Sequence, residues 1–116
     1  LPGMKINGRQ TMGENIGDLS GIAVAYRAYK ISLNGKPAPI IGGFTGDQRF
    51  FLGYGQIWRF KSRHEALRNQ LLTDAHSPGQ YRAFVPLTNI EAFYAAFNLK
   101  PGDKLYRAPE DRVKIW

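Results

Sequence analysis

Apolar residues recur along this chain at helical rather than strand spacing. Ile16, Leu19, Ala23, Tyr26 and Lys30 follow one helical stripe, Ile22, Tyr29 and Leu33 follow an adjoining one, and Asn34-Gly35 ends the run. The pattern predicts a first helix from about Met12 to Leu33. Lys36-Pro37-Ala38-Pro39 and then Gly42-Gly43 cannot continue a helix and read as an extended loop. A second helix is expected from about Gly46 to Lys61. It sets Phe50, Tyr54, Ile57 and Lys61 in one row with Phe51 and Trp58 beside it, a broad aromatic face that needs a partner. A third, from about Arg63 to Leu72, turns Leu67 and Leu71 inward, and a fourth, from about Asn89 to Phe97, carries Ile90, Phe93, Tyr94 and Phe97. Asp74 to Arg82 reads as a loop of turn formers that holds a histidine and an arginine. The expected fold is mainly α, about four helices joined by long loops.

Helix starts are marked locally. Thr11/Glu14, Thr45/Gln48, Ser62/Glu65 and Thr88/Glu91 each have the spacing of a capping box, in which a hydroxyl and a carboxyl or amide satisfy orphan amides of the first turn.

Composition narrows the classes. The chain has 116 residues, 43% hydrophobic and 22% charged, which is ordinary for a globular domain or part of one and argues against disorder. No apolar run approaches the ~20 residues of a membrane span. There is no cysteine, so disulfides and cysteine-based zinc or nucleophile chemistry are excluded, while the compartment stays open. The charge of +7 would suit an acidic partner, but the basic residues are scattered. Their densest patch, Arg59, Lys61, Arg63 and Arg68, accompanies no nucleic-acid motif, so no nucleic-acid partner is expected. Leu1-Pro2-Gly3-Met4 carries no targeting signal and has the look of an excised segment.

The chemistry concentrates at Glu14 and Asp18. Four residues apart on a helix, their carboxylates project from neighbouring positions of one face and repel unless a cation, metal or hydrogen-bond donor lies close by. Read alone, Glu14 closes its capping box and Asp18 points to water. Gly13, Gly17 and Gly21, however, leave one side of the same helix without side chains, and that weakens the helix unless something packs closely on its backbone. His64 and His76 read as solvated histidines and Arg82 as one surface cation among many.

The segment Gly13-Glu14-Asn15-Ile16-Gly17-Asp18-Leu19-Ser20-Gly21 resembles the G-E-N-I-A-D-x-x-G motif of the neprilysin-like zinc peptidases, the family of the endothelin-converting enzymes and bacterial endopeptidase O. It departs from the commonest pattern by Gly17 for Ala and Ser20 for Gly. The resemblance continues through Phe44-Thr45-Gly46-Asp47-Gln48-Arg49-Phe50-Phe51, similar to F-T-x-x-Q-x-F-F, and Asp74-Ala75-His76-Ser77-Pro78, similar to D-x-H-S-P, to an R-V-x-x-W-like ending at Arg112 to Trp116. It implies Glu14 as the third zinc ligand and Asp18 as the residue that orients a zinc-ligating histidine. It also implies His76 as donor to the oxyanion formed in peptide hydrolysis and Arg82 as a clamp on a substrate backbone carbonyl. The lack of a cysteine before the ending is expected of a bacterial-type member, and Trp116 would be the natural C-terminus, docked in the core.

Neither histidine belongs to an H-E-x-x-H sequence. Residues 1–116 are therefore expected to be the C-terminal, helical part of a zincin-type (gluzincin) catalytic domain. The implied parent is a zinc metalloendopeptidase that binds one Zn2+, acts on oligopeptides and works outside the cytoplasm. The isolated chain is expected to be inactive and to hold zinc weakly if at all. Exposed apolar surface is expected to drive homodimerisation. The competing reading is a stand-alone helical protein-interaction module without catalysis.

Overall fold

A computed structural model describes residues 1–115; Trp116, and with it the expected docking of the last residue, lies outside the described residues. Five α-helices follow in order: α1 (Gly8–Ser32), α2 (Gly46–Ile57), α3 (His64–Thr73), α4 (Gly79–Phe84) and α5 (Glu91–Phe97). Single 3-10 turns lie at Leu87–Asn89 and Pro109–Asp111. Among the described residues the only β pairing is one bridge between Ile41 and Phe44. The mainly helical fold agrees with the periodicity, but there is one helix more than the four expected.

The extra helix is α4, in the stretch read as a loop. Pro78 precedes its first turn, where its missing N–H goes unneeded, and its carbonyl accepts from the amides of Tyr81 and Arg82. Of the four capping boxes only Thr45/Gln48 forms. Helix α1 starts a turn earlier than expected because Asn7 caps it, accepting from the amides of Arg9 and Gln10. Thr11 is thus inside the helix, and its hydroxyl donates to the Asn7 carbonyl. Neither α3 nor α5 has a side-chain cap, and the hydroxyl of Thr88 donates back to the carbonyl of Val85. Helix α1 ends as expected, with Asn34 and Gly35 both in the left-handed region.

Helix α2 is the hub, packing on α4 and α5, while α1 rests on the Leu87–Asn89 turn. The core is Ile22, Phe51, Leu87 and Phe93, with Tyr26, Phe50, Tyr54 and Phe97 packed around it. The aromatic face of α2 therefore finds its partners on α1 and α5: Phe51 stacks on Tyr26 and meets Phe93 edge-on. Helix α2 stops at Ile57, short of Lys61, because Phe60 leaves the helical path to pack its ring against Gly79. The C-terminal tail is pinned by Arg112, whose guanidinium lies 3.7 Å from the centre of the Tyr94 ring and donates to the Arg107 carbonyl.

That core is small for the chain. The radius of gyration is 15.7 Å, where about 13 Å is typical of a compact domain of this length. Along α1 only Thr11, Leu19 and Ile22 are buried, while Val24 and Ile31 are 61% and 69% exposed. Gly13, Gly17 and Gly21 face open space, so the close approach expected on that side is not made within the described residues.

Candidate active site

Helix α1 carries Glu14 and Asp18 one turn apart, and the segment between α3 and α4 returns to them across more than 60 residues. His76 and Arg82 arrive there together. His76 Nε2 lies 3.1 Å from Glu14 Oε2, and its Nδ1 lies 2.7 Å from Asp74 Oδ1. Asp74 Oδ1 also accepts from the His76 backbone amide at 2.8 Å. These two bonds, the backbone one first, hold the Asp74 carboxyl below the usual aspartate range. They also orient the imidazole, with Nδ1 turned to Asp74 and Nε2 turned to Glu14. An acceptor placed beside Glu14 would therefore compete with that carboxylate for the Nε2 of an already oriented ring.

Asp18 and Arg82 form a fork-to-fork pair, with Nε donating to Oδ2 and Nη2 to Oδ1, both at 2.7 Å. The pair is largely enclosed, with side chains 12% and 16% exposed. Hydrogen bonding to Asp18 raises the Arg82 pKa, outweighing the opposite effect of burial. The guanidinium stacks 4.1 Å above the Trp58 ring, and the Tyr54 hydroxyl donates to the Arg82 carbonyl at 3.0 Å. Burial, then the Asp18 charge, pushes the Tyr54 hydroxyl up to about 12. Of the five N–H donors of a guanidinium, two go to Asp18 and the rest remain available.

The repulsion expected between Glu14 and Asp18 is thus relieved inside the chain, by His76 on one carboxylate and Arg82 on the other. All four residues singled out in the sequence converge. The structure adds Asp74, Trp58 and Tyr54, to which the sequence reading assigned no part in the site. For Asp74 a signal existed, since Asp-x-His is the spacing at which an aspartate caps the amide two residues on. The stacking of Trp58 on Arg82 had none, because 23 residues of irregular chain and helix lie between them. His64 lies at the exposed start of α3 and keeps its bland reading.

A carboxylate such as Glu14 is a chemically suitable zinc ligand, with its side chain about half exposed on an accessible helix face. Among the described residues no group of three or more His, Cys, Asp or Glu side chains is arranged to hold a metal ion. The donor set fits one corner of a metal site. Beside it runs an apolar groove of about 430 Å³, bordered by Met12, Ile16, Leu19, Tyr81 and Val85 and reaching Arg82. Among the described residues no helix is long and apolar enough to cross a membrane.

The sequence model of peptidase family M13 matches residues 2–113. The chain is 40% identical to neprilysin-2 of Caenorhabditis elegans over 97% of its length and 16% of that protein's. It is 40% identical to a neutral endopeptidase of Lactococcus lactis over 95% of its length and 16% of that protein's. The crystal structure of the Mycobacterium tuberculosis zinc metalloprotease ZMP1 with an inhibitor superposes with a TM-score of 0.96 at 48% identity. That match covers 99% of this chain and 18% of the other. The chain thus spans about one-sixth of the length of the curated relatives it matches.

Proposed function

The chain belongs to peptidase family M13, and on that premise we propose that it is the C-terminal part of the catalytic domain of a zinc metalloendopeptidase. The observation that carries the proposal is the meeting of Glu14, Asp18, His76 and Arg82 at one edge of α1, with both pairs at hydrogen-bond distance. Nothing in a purely structural role requires an exposed histidine held between two carboxylates beside a buried arginine fork.

In this reading Glu14 is a protein ligand to zinc, and the H-E-x-x-H histidines come from other polypeptide of the same enzyme. Bound zinc would supply Lewis-acid polarisation of a peptide carbonyl and activation of water. The residues of this chain do the rest. His76 presents Nε2 as a donor where negative charge develops on the substrate carbonyl oxygen. Asp74 fixes the ring for that task, and a donor of this kind is worth about 3 kcal/mol of barrier. Arg82 offers its remaining N–H groups to a backbone carbonyl of the peptide, with Asp18 gripping the guanidinium along its edge and Trp58 stacked on its face. The second acceptor capacity of the Asp18 carboxylate is available to the ring N–H of a ligating histidine. The side of α1 carrying Gly13, Gly17 and Gly21 is where the absent part of the domain packs. An extracytoplasmic place of work belongs to the same proposal.

Expression of the complete reading frame tests it. The expected product contains one zinc and hydrolyses an internally quenched peptide in a chelator-sensitive way, and Glu14→Ala removes both the metal and the activity. Full zinc and wild-type turnover in that variant would sink the assignment. The stand-alone interaction module draws support from the exposed apolar groove along α1. It gains if translation begins near Leu1 with no H-E-x-x-H upstream.

A further inference from the structure

The segment Asp74 to Pro78 has no regular secondary structure, yet it is tied down at Asp74, His76 and Ser77. The Asp74 carbonyl accepts from Gln10 Nε2 at 3.0 Å, and the His76 carbonyl from Gln70 Nε2 at 3.4 Å. Ser77 donates its hydroxyl to Asn15 Oδ1 at 2.8 Å. Gly79, one residue on, lies directly under the Phe60 ring, which an added side chain would have to displace.

Two of these bonds reach α1, from Gln10 to the Asp74 carbonyl and from Ser77 to Asn15, and the second lies nearest the site. Asn15 is the neighbour of Glu14 on α1, and Ser77 is the neighbour of His76. This hydrogen bond across 62 residues therefore joins the neighbour of the histidine to the neighbour of the carboxylate, beside the contact between His76 and Glu14 themselves. The direction of the bond is fixed by a chain of donors behind it. Thr11 gives its hydroxyl proton to the Asn7 carbonyl, so its oxygen accepts from Asn15 Nδ2 at 3.1 Å, which turns Asn15 Oδ1 toward Ser77. Ser77 and Thr11 are only 5% and 4% exposed, so neither hydroxyl has ready solvent to exchange partners with. The start of the chain is Asn7, the residue that caps α1.

We propose that Asn15 and Ser77 are positioning residues that act through His76, holding its Nε2 in register with Glu14. The inference rests on the role proposed above for His76. If the bond is lost, Gln10 still ties the Asp74 carbonyl to α1, but the His76–Ser77 end of the segment loses its anchor beside Glu14 and the ring shifts relative to that carboxylate. Misplacement of a donor by about 1 Å can cost about 100-fold in rate.

The test uses the full-length enzyme with an internally quenched peptide. It compares wild type, Ser77→Ala, Asn15→Ala, His76→Ala and the double variant Ser77→Ala/His76→Ala, with zinc content measured for each. Ser77→Ala and Asn15→Ala are expected to lower kcat by about 10- to 100-fold. KM should stay within about twofold and zinc unchanged. In the His76→Ala background, Ser77→Ala should alter kcat by less than about twofold, because nothing remains to be positioned. A general structural defect would instead lower the residual rate again, and that result overturns the proposal. A fully active Ser77→Ala enzyme beside a slow His76→Ala enzyme overturns the positioning role alone. Wild-type kcat in His76→Ala overturns the role of His76, and this inference with it. If Ser77→Ala does not fold, Asn15→Ala runs the same comparison from an exposed helix position where alanine favours the helix.

Discussion

Replacing Asp18 with alanine removes both acceptors of the Arg82 fork and leaves a guanidinium pressed on Trp58 with only the weaker influence of the Glu14 charge. Each charge-assisted hydrogen bond is worth about 1.5–3 kcal/mol. Immobilising the arginine costs up to about 2 kcal/mol of that. Breaking one side of a well-buried pair costs about 3–5 kcal/mol. With the two side chains 12% and 16% exposed, water relieves part of the penalty. We expect a loss of about 3 kcal/mol, which for a chain of this size lowers Tm by more than about 10 °C. Urea melts followed by circular dichroism give the energy, and tryptophan fluorescence reports the local change, because Trp58 loses its ordered partner. Asp18→Asn, which keeps shape and one acceptor, should lose about half as much, as a hydrogen bond stripped of charge assistance is roughly half as strong. The decisive comparison is the double variant with Arg82→Ala, expected to be little worse than Arg82→Ala alone. An Asp18→Ala chain within about 0.5 kcal/mol of wild type, the range of a neutral surface change, would refute the reasoning. So would energies that simply add.

Four further outcomes are expected. The isolated chain should hydrolyse no peptide and retain no zinc through dialysis; chelator-sensitive turnover above that of a Glu14→Ala control would contradict this. Tyr26 and Tyr54 are both raised from 10 to about 12, chiefly by burial. Raised folded values mean that their contribution to stability is complete below pH 10 and lost as pH climbs through about 12. Absorbance titration of the phenolates, paired with urea melts across that window, checks it, and a flat stability profile would count against it. Gly79→Ala should destabilise by about 1–3 kcal/mol through overlap with the Phe60 ring. Gly13→Ala, facing open space, should stabilise the isolated chain by about 0.5–1 kcal/mol; thermal melts that reverse this order would refute the packing argument. The exposed apolar side of α1 should give a concentration-dependent dimer in light scattering, and a clean monomer at high concentration argues against it.

Much of the architecture is legible along the chain because helices are local. The period of Ile16, Leu19, Ile22 and Tyr26 places α1, and Asn34-Gly35 stops it. Local signals still compete. Asn7 wins the start of α1 from Thr11, and one capping box of four forms, with the Thr11 and Thr88 hydroxyls given instead to the carbonyls of Asn7 and Val85. Helix α4 was hidden by residues that favour turns, and the end of α2 by the demand of Gly79 for the Phe60 ring.

The sequence by itself determined that Glu14 and Asp18 share a face of α1, since a four-residue spacing on a helix admits no other outcome. By family resemblance it also singled out His76 and Arg82. It could not say which carboxylate each would meet. Only the tertiary structure decided that His76 turns to Glu14 and Asp74, that Arg82 forks onto Asp18, and that Asn15 reaches Ser77. The physical reason is range. A helical period fixes neighbours within a turn, whereas contacts across more than 60 residues depend on the packing of α2 with α1, α4 and α5, which holds the α3–α4 segment and α4 against α1.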